Sequence, residues 1–144
     1  ITKGGEFQLT DNLYNLFSQG LVFKSQEIDE WLDCGNKAEF LKSNKRILEL
    51  AKFEKVNFKC SNSNISNKAY VGRNVEIINS TINDFVSIAD NCKIIDSILD
   101  DCLVANDTII EQCVLSHSIV GRYSKLKKLN GSVNTGDYSD YENS

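Results

Sequence analysis

A ladder of aliphatic residues in the second half constrains this chain more than any other feature. Val71, Ile77, Ile82, Ile88, Ile94, Leu99, Ala105, Ile110, Leu115 and Val120 follow one another at steps of five or six residues. A helix returns an apolar side chain to one face every three or four positions, and a half-buried strand every two. Neither period fits. Steps of five to six mark a hexapeptide solenoid, in which short walls meet at corners and three walls close a coil. Ile77 and Ile94, three steps apart, then stand one coil apart.

A second register supports the first. Two positions before each rung stand Val75, Ser80, Val86, Cys92, Ser97, Leu103, Thr108, Cys113 and Ser118. All but Leu103 are small, as a tight triangular corner requires. Stacking every third one puts Val75 over Cys92 over Thr108, and Ser80 over Ser97 over Cys113. The polar pairs Asn83-Asp84, Asp90-Asn91, Asp100-Asp101 and Asn106-Asp107 follow the rungs where such a coil turns. A sandwich of short strands would instead show two-residue alternation and turn signals about every 8–12 residues. The expectation is a mainly β protein whose residues 57–144 form a parallel β-helix of hexapeptide repeats. Val133–Asp137 is expected to begin a further partial coil, with fraying beyond Tyr138.

Residues 1–56 read differently, as a small α/β segment with two helices. Thr10 is a plausible N-cap, Leu13, Leu16 and Phe17 share a helical face, and Gly20 stops that helix. Leu21-Val22-Phe23 then reads as a short strand. Asn36 and Glu39 stand at capping-box spacing before a second helix over 37–53, with Leu41, Ile47, Leu48 and Ala51 as its apolar stripe. This helical front is expected to cap one end of the solenoid.

A net charge of -4, from 16 basic and 20 acidic residues, argues against nucleic acid or an anionic membrane as the main partner. No run approaches the roughly 20 apolar residues of a membrane span. Five cysteines with no CxxC spacing suggest buried free thiols in a reducing cytoplasm rather than a disulfide framework or zinc site. Four N-x-S/T sequons, at Asn64, Asn79, Asn106 and Asn130, carry little weight in a chain this rich in Asn and Ser. With no methionine, Ile1 is not a translation start, and the chain is expected to be a piece of a longer one.

Three segments together resemble the back half of the sugar-1-phosphate nucleotidylyltransferase family. Gly5-Glu6-Phe7-Gln8-Leu9-Thr10-Asp11 is similar to its G-E-x-x-[LI]-T-D segment. Trp31-Leu32-Asp33-Cys34-Gly35 followed by Asn44-Lys45-Arg46-Ile47-Leu48 resembles its W-x-D-x-G…N-r-x-[LI]-L block. The repetitive region, ending in Ile119-Val120-Gly121-Arg122 and Asn134-Thr135-Gly136-Asp137, looks like the left-handed β-helix tail of the long glucose-1-phosphate thymidylyltransferase and mannose-1-phosphate guanylyltransferase types, which implies a left-handed parallel β-helix for residues 57–144.

The resemblance implies that a nucleoside triphosphate and a sugar 1-phosphate give a nucleotide sugar and pyrophosphate, with Mg²⁺ offsetting phosphate charge. It assigns Asp33 to the metal and Glu6, Trp31 and Gly35 to the substrate side. Exposed walls and an open end let a β-helix form dimers or tetramers, so a homo-oligomer with an assembly and regulatory role is expected. Asn36 replaces the family's usual Thr. The glycine-rich nucleotide-binding signature is absent, so this chain alone is expected to be inactive. A rival reading makes His117 the general base of a hexapeptide acyltransferase, against its simpler placement at an outward turn.

Overall fold

The computed structural model describes residues 9–53 and 56–143. The chain forms two compact units that part between Trp31 and Leu32. In the first, helix α1 (Leu9–Ser18) buries none of its residues. Gly20 ends it in the left-handed conformation, with φ of 87°. The Gly20 amide donates to the Phe17 carbonyl (2.9 Å) and the Leu21 amide to that of Leu16 (3.2 Å), the paired bonds of a glycine C-cap. The expected strand at Leu21–Phe23 does not form. A strand exists through its ladder, and no described segment pairs with these residues.

The second unit opens with helix α2 (Lys37–Leu50). Asn36 caps it, its Oδ1 accepting the Glu39 amide at 3.0 Å. The helix stops three residues short of the expected 53, with the Ala51 amide still bonded to Ile47. Its buried face is also more polar than the expected stripe: Leu41, Ser43 and Asn44 are covered, whereas Ile47 is 46% exposed. This face meets a sheet through hydrogen bonds as well as apolar contact.

Behind α2 the chain winds into a parallel β-helix of about five turns. The first coil holds β1 (Lys59–Ser61), β2 (Asn64–Ile65) and β3 (Tyr70–Val71), and the second β4 (Glu76–Ile78), β5 (Thr81–Ile82) and β6 (Ser87–Ile88). In the third, β7 (Lys93–Ile95) is followed by β8 (Ile98–Val104), and in the fourth β9 (Ile109–Glu111) by β10 (Val114–Val120). The fifth comprises β11 (Lys125–Lys127), β12 (Asn130–Gly131) and β13 (Asn134–Thr135), and β14 (Asp140–Glu142) opens a sixth. Val133–Asp137 thus completes the fifth coil. From Tyr138 to Asn143 the chain is not frayed, because β14 pairs in parallel with β11.

Register follows the predicted rungs with one correction. Cys60, Ile77, Ile94, Ile110, Leu126 and Tyr141 stack on the first wall, and Ile65, Ile82, Leu99, Leu115 and Gly131 on the second. On the third wall Val71, Ile88, Val104, Val120 and Thr135 stack, so the rung is Val104, not Ala105. The small residue two places earlier is then the buried Cys102, and the misfit of Leu103 disappears. From Ile77 to Leu126 the rungs are at most 2% exposed.

One corner explains the shift. Steps from second to third wall are six, six, five, five and four residues (65 to 71, 82 to 88, 99 to 104, 115 to 120, 131 to 135). The other two corners keep steps of five and six throughout. In the fifth coil this corner is so short that the rung is Gly131, at φ of 115°. There large and small exchange roles: Leu129 and Val133, at corner positions, pack against the core beside the small rungs Gly131 and Thr135.

The corners are built from residues in the left-handed region. Asn62, Asn79, Asp96, Gln112 and Lys128 form one such column, and Asn74, Asn91, Asp107, Tyr123 and Tyr138 another. Phe85, Asp101 and His117 mark the shortening corner. Asn and Asp tolerate this conformation better than other non-glycine residues. Their side chains also bridge coils, as in Asn62 to Asn79 (2.8 Å), Asn79 to Asp96 (3.1 Å) and Asn91 to Asp107 (3.1 Å). Farther along the second column, Tyr123 and Tyr138 stack at 5.0 Å.

Helix α2 lies along the solenoid rather than over its end, which corrects the expectation of a helical cap. Lys37 reaches Ser132 in the fifth coil at 2.6 Å, Asn44 reaches Phe85 and Ser87 in the second, and Phe53 packs on Tyr70 in the first. Fourteen residues at about 1.5 Å each give a helix of about 21 Å. Four inter-strand spacings of about 4.8 Å make nearly the same length. The helix is therefore matched to the height of the stack it braces.

Candidate functional site

The approach to α2 brings together the segment most suggestive of chemistry. Asp33 Oδ1 accepts the Gly35 amide at 2.9 Å, folding the loop into a tight turn just before the Asn36 cap. The Ser43 hydroxyl, within the second turn of the helix, donates to the Asp33 carbonyl at 2.7 Å and ties the loop back along α2. One residue on, Asn44 uses both ends of its amide. Its Nδ2 donates to the Phe85 carbonyl at 2.9 Å, and its Oδ1 accepts from Ser87 Oγ at 2.6 Å. Ser43 and Asn44 are 4% and 7% exposed, so these bonds are shielded from water.

Of the predicted site residues, the structure brings Asp33 and Gly35 into one turn. Trp31 belongs to the other compact unit and is 79% exposed. Glu6 lies outside the described residues. Asp33 offers the carboxylate oxygen that Mg²⁺ prefers, and such an ion is often held by one or two carboxylates with waters and substrate phosphates. Among the described residues no three His, Cys, Asp or Glu side chains gather into a metal group. Asp33 is thus not part of a three-ligand cluster among the described residues.

His117 sits at an outward corner, its side chain 68% exposed, as the simpler reading expects. Its Nε2 lies 3.6 Å from Asp101 Oδ2, while Asp101 Oδ1 is buried without a hydrogen-bond partner. Ser132 donates to the His117 carbonyl (2.9 Å) and accepts from Lys37, linking this corner to the start of α2. Sequence reasoning missed Asp101 and Ser132 as neighbours of His117, and the link through Ser132 to Lys37. The signal was present in the coil spacing, which sets His117 sixteen residues beyond Asp101 at equivalent corner positions.

The cysteines divide cleanly. Cys92, Cys102 and Cys113 are buried free thiols at corner positions, and Cys34 and Cys60 are exposed. Burial pushes the Cys92 thiol up to about 11 and raises those of Cys102 and Cys113. These three are packing groups, not activated nucleophiles. Cys113 completes the predicted column: the Ser97 amide donates to Ser80 Oγ (3.1 Å), the Cys113 amide to Ser97 Oγ (3.0 Å), and the Leu129 amide to Cys113 Sγ (3.4 Å).

The three walls have different surfaces. The first carries Lys93–Glu76 and Lys127–Glu142 pairs at 3.3 and 2.9 Å. The third carries Ser87, to which Asn44 is bonded. On the second wall Ile98 and Val114, adjacent in the ladder, are 43% and 48% exposed. No helix among the described residues is long and apolar enough to cross a membrane. No protein-family model, curated protein or solved structure matches the chain.

Proposed function

We propose that this chain is the C-terminal part of a cytoplasmic sugar-1-phosphate nucleotidylyltransferase. In the parent, a nucleoside triphosphate and a sugar 1-phosphate yield a nucleotide sugar and pyrophosphate. Mg²⁺ held there would offset charge on the phosphates. Here the β-helix serves assembly and regulation, and Asp33 contributes one carboxylate to the metal beside Gly35, with Glu6 and Trp31 on the substrate side.

One observation carries this reading. The Asp33–Leu48 segment, which resembles the family's block behind the sugar site, is fastened to the solenoid through Asn44, the asparagine of that motif. A β-helix built to hold this segment fits an assembly module better than a free-standing binding domain. The exposed Ile98 and Val114 favour a homo-oligomer formed through the second wall.

The product of the complete reading frame, given each nucleoside triphosphate with glucose, mannose and N-acetylated sugar 1-phosphates, is expected to release pyrophosphate in a Mg²⁺-dependent manner. No release with any pair overturns the proposal. A second reading, acyl transfer by a stand-alone solenoid, draws on the His117–Asp101 juxtaposition alone. It requires acetyl transfer by the present chain that is abolished by His117→Ala.

A further inference from the structure

We infer that Ser43 and Asn44 act together as a strut through which the second coil of the solenoid sets the geometry of the Asp33 turn. The link is continuous and short. The Phe85 carbonyl and the Ser87 hydroxyl hold Asn44 from the solenoid side. Its neighbour Ser43 holds the Asp33 carbonyl. Asp33 in turn holds the Gly35 amide. Each joint is a hydrogen bond of 2.6–2.9 Å, and the two helical side chains are nearly sealed from water.

The residue choice is informative. Ser and Asn are indifferent helix formers. On a face packed against a sheet, apolar side chains would bury more area. Two adjacent polar residues with their bonding groups engaged fix the direction of the helix and the height of the loop, which apolar contact alone leaves free to slide. The cation–π contact of Lys45 with Phe85, 4.1 Å from the ring centroid, reinforces the same joint. A change in coil two therefore reaches the turn carrying the proposed metal carboxylate. Ser43 and Asn44 are positioning residues, and a ligand or neighbouring subunit that shifts coil two shifts the Asp33 turn with it. This regulatory role rests on the nucleotidylyltransferase reading; the strut itself does not.

Hydrogen exchange of the intact chain tests the strut without any substrate. Losing one net hydrogen bond of about 1–1.5 kcal/mol corresponds to about tenfold faster local exchange. Ser43→Ala should speed exchange of the Gly35 amide about tenfold while leaving the Ile94 amide and the helix amides of α2 unchanged. Asn44→Ala should speed both Gly35 and the helix amides. The exposed Lys42→Ala should change neither. Unchanged Gly35 exchange in Ser43→Ala, or equal acceleration across all of α2, overturns the inference. In the complete enzyme, Ser43→Ala should raise KM for sugar phosphate with little change in kcat. An unchanged KM overturns the regulatory role. An inactive parent instead overturns the functional reading and leaves the exchange result standing.

Discussion

Ile94 and Phe17 are both large apolar residues in amphipathic settings, yet their surroundings differ completely. Ile94 is 0% exposed between Ile77 and Ile110. Phe17, on a helix with a clear apolar face, is 64% exposed. In the solenoid a residue's neighbours are its own equivalents one coil away, so the repeat that builds the wall also supplies its partner. A single amphipathic helix has no such internal partner, and its apolar face is a requirement still to be met. The same contrast separates the Leu21–Phe23 segment, which has no ladder, from β4 or β7, which lie inside one.

Removing one side chain from each region separates the two settings. Ile94→Ala should cost about 2–5 kcal/mol in urea unfolding, because the cavity lies in a close-packed stack. Phe17→Ala should stay within about 0.5 kcal/mol. Equal costs would mean that the repeat confers no special burial.

Backbone approach gives a smaller contrast. A Cβ on Gly121 would overlap the backbone of Gly136 and Asp137 in the next coil, so Gly121→Ala should cost about 1–3 kcal/mol. At Gly20 nothing lies within 4 Å, and the cost there is only that of the left-handed conformation, about 1–2 kcal/mol.

Thiol labelling sharpens the picture at the smallest scale. Cys34 and Cys60 should react promptly in the native protein, and Cys92, Cys102 and Cys113 only on unfolding. The Cys92 thiol is raised from 9.0 to about 11 in the folded chain, so between those values the unfolded state binds fewer protons. Its contribution therefore makes stability fall as pH rises from about 9 to about 11. A stability that is flat or rising across that window would contradict its burial.

Much of the solenoid was legible because its determinants are local and repeated. Ile77, Ile82 and Ile88 declare the coil by spacing alone, and Ser80, Ser97 and Cys113 declare a corner by size. Val104 was misassigned because one corner loses a residue between Leu99 and Val104. That deletion is invisible when Ala105 is also apolar and the neighbouring steps vary between five and six. The site was less legible. The docking of Asn44 joins residues 41 and 43 positions apart, and no local pattern encodes such a pairing. Asp33 stands out by its motif, but its tie to Ser43 depends on the loop folding back along α2. A helical cap on the stack was the expectation; the bonds of Lys37 to coil five and Asn44 to coil two, with a helix length matched to five coils, explain why α2 lies alongside.

Nuclear Overhauser contacts test the central arrangement most directly. The account predicts contacts from Ile77 to Ile94 and from Ile94 to Ile110, together with contacts from the Asn44 side-chain amide to Ser87. Antiparallel contacts between strands adjacent in sequence, or an Asn44 amide with no solenoid neighbour, would contradict it.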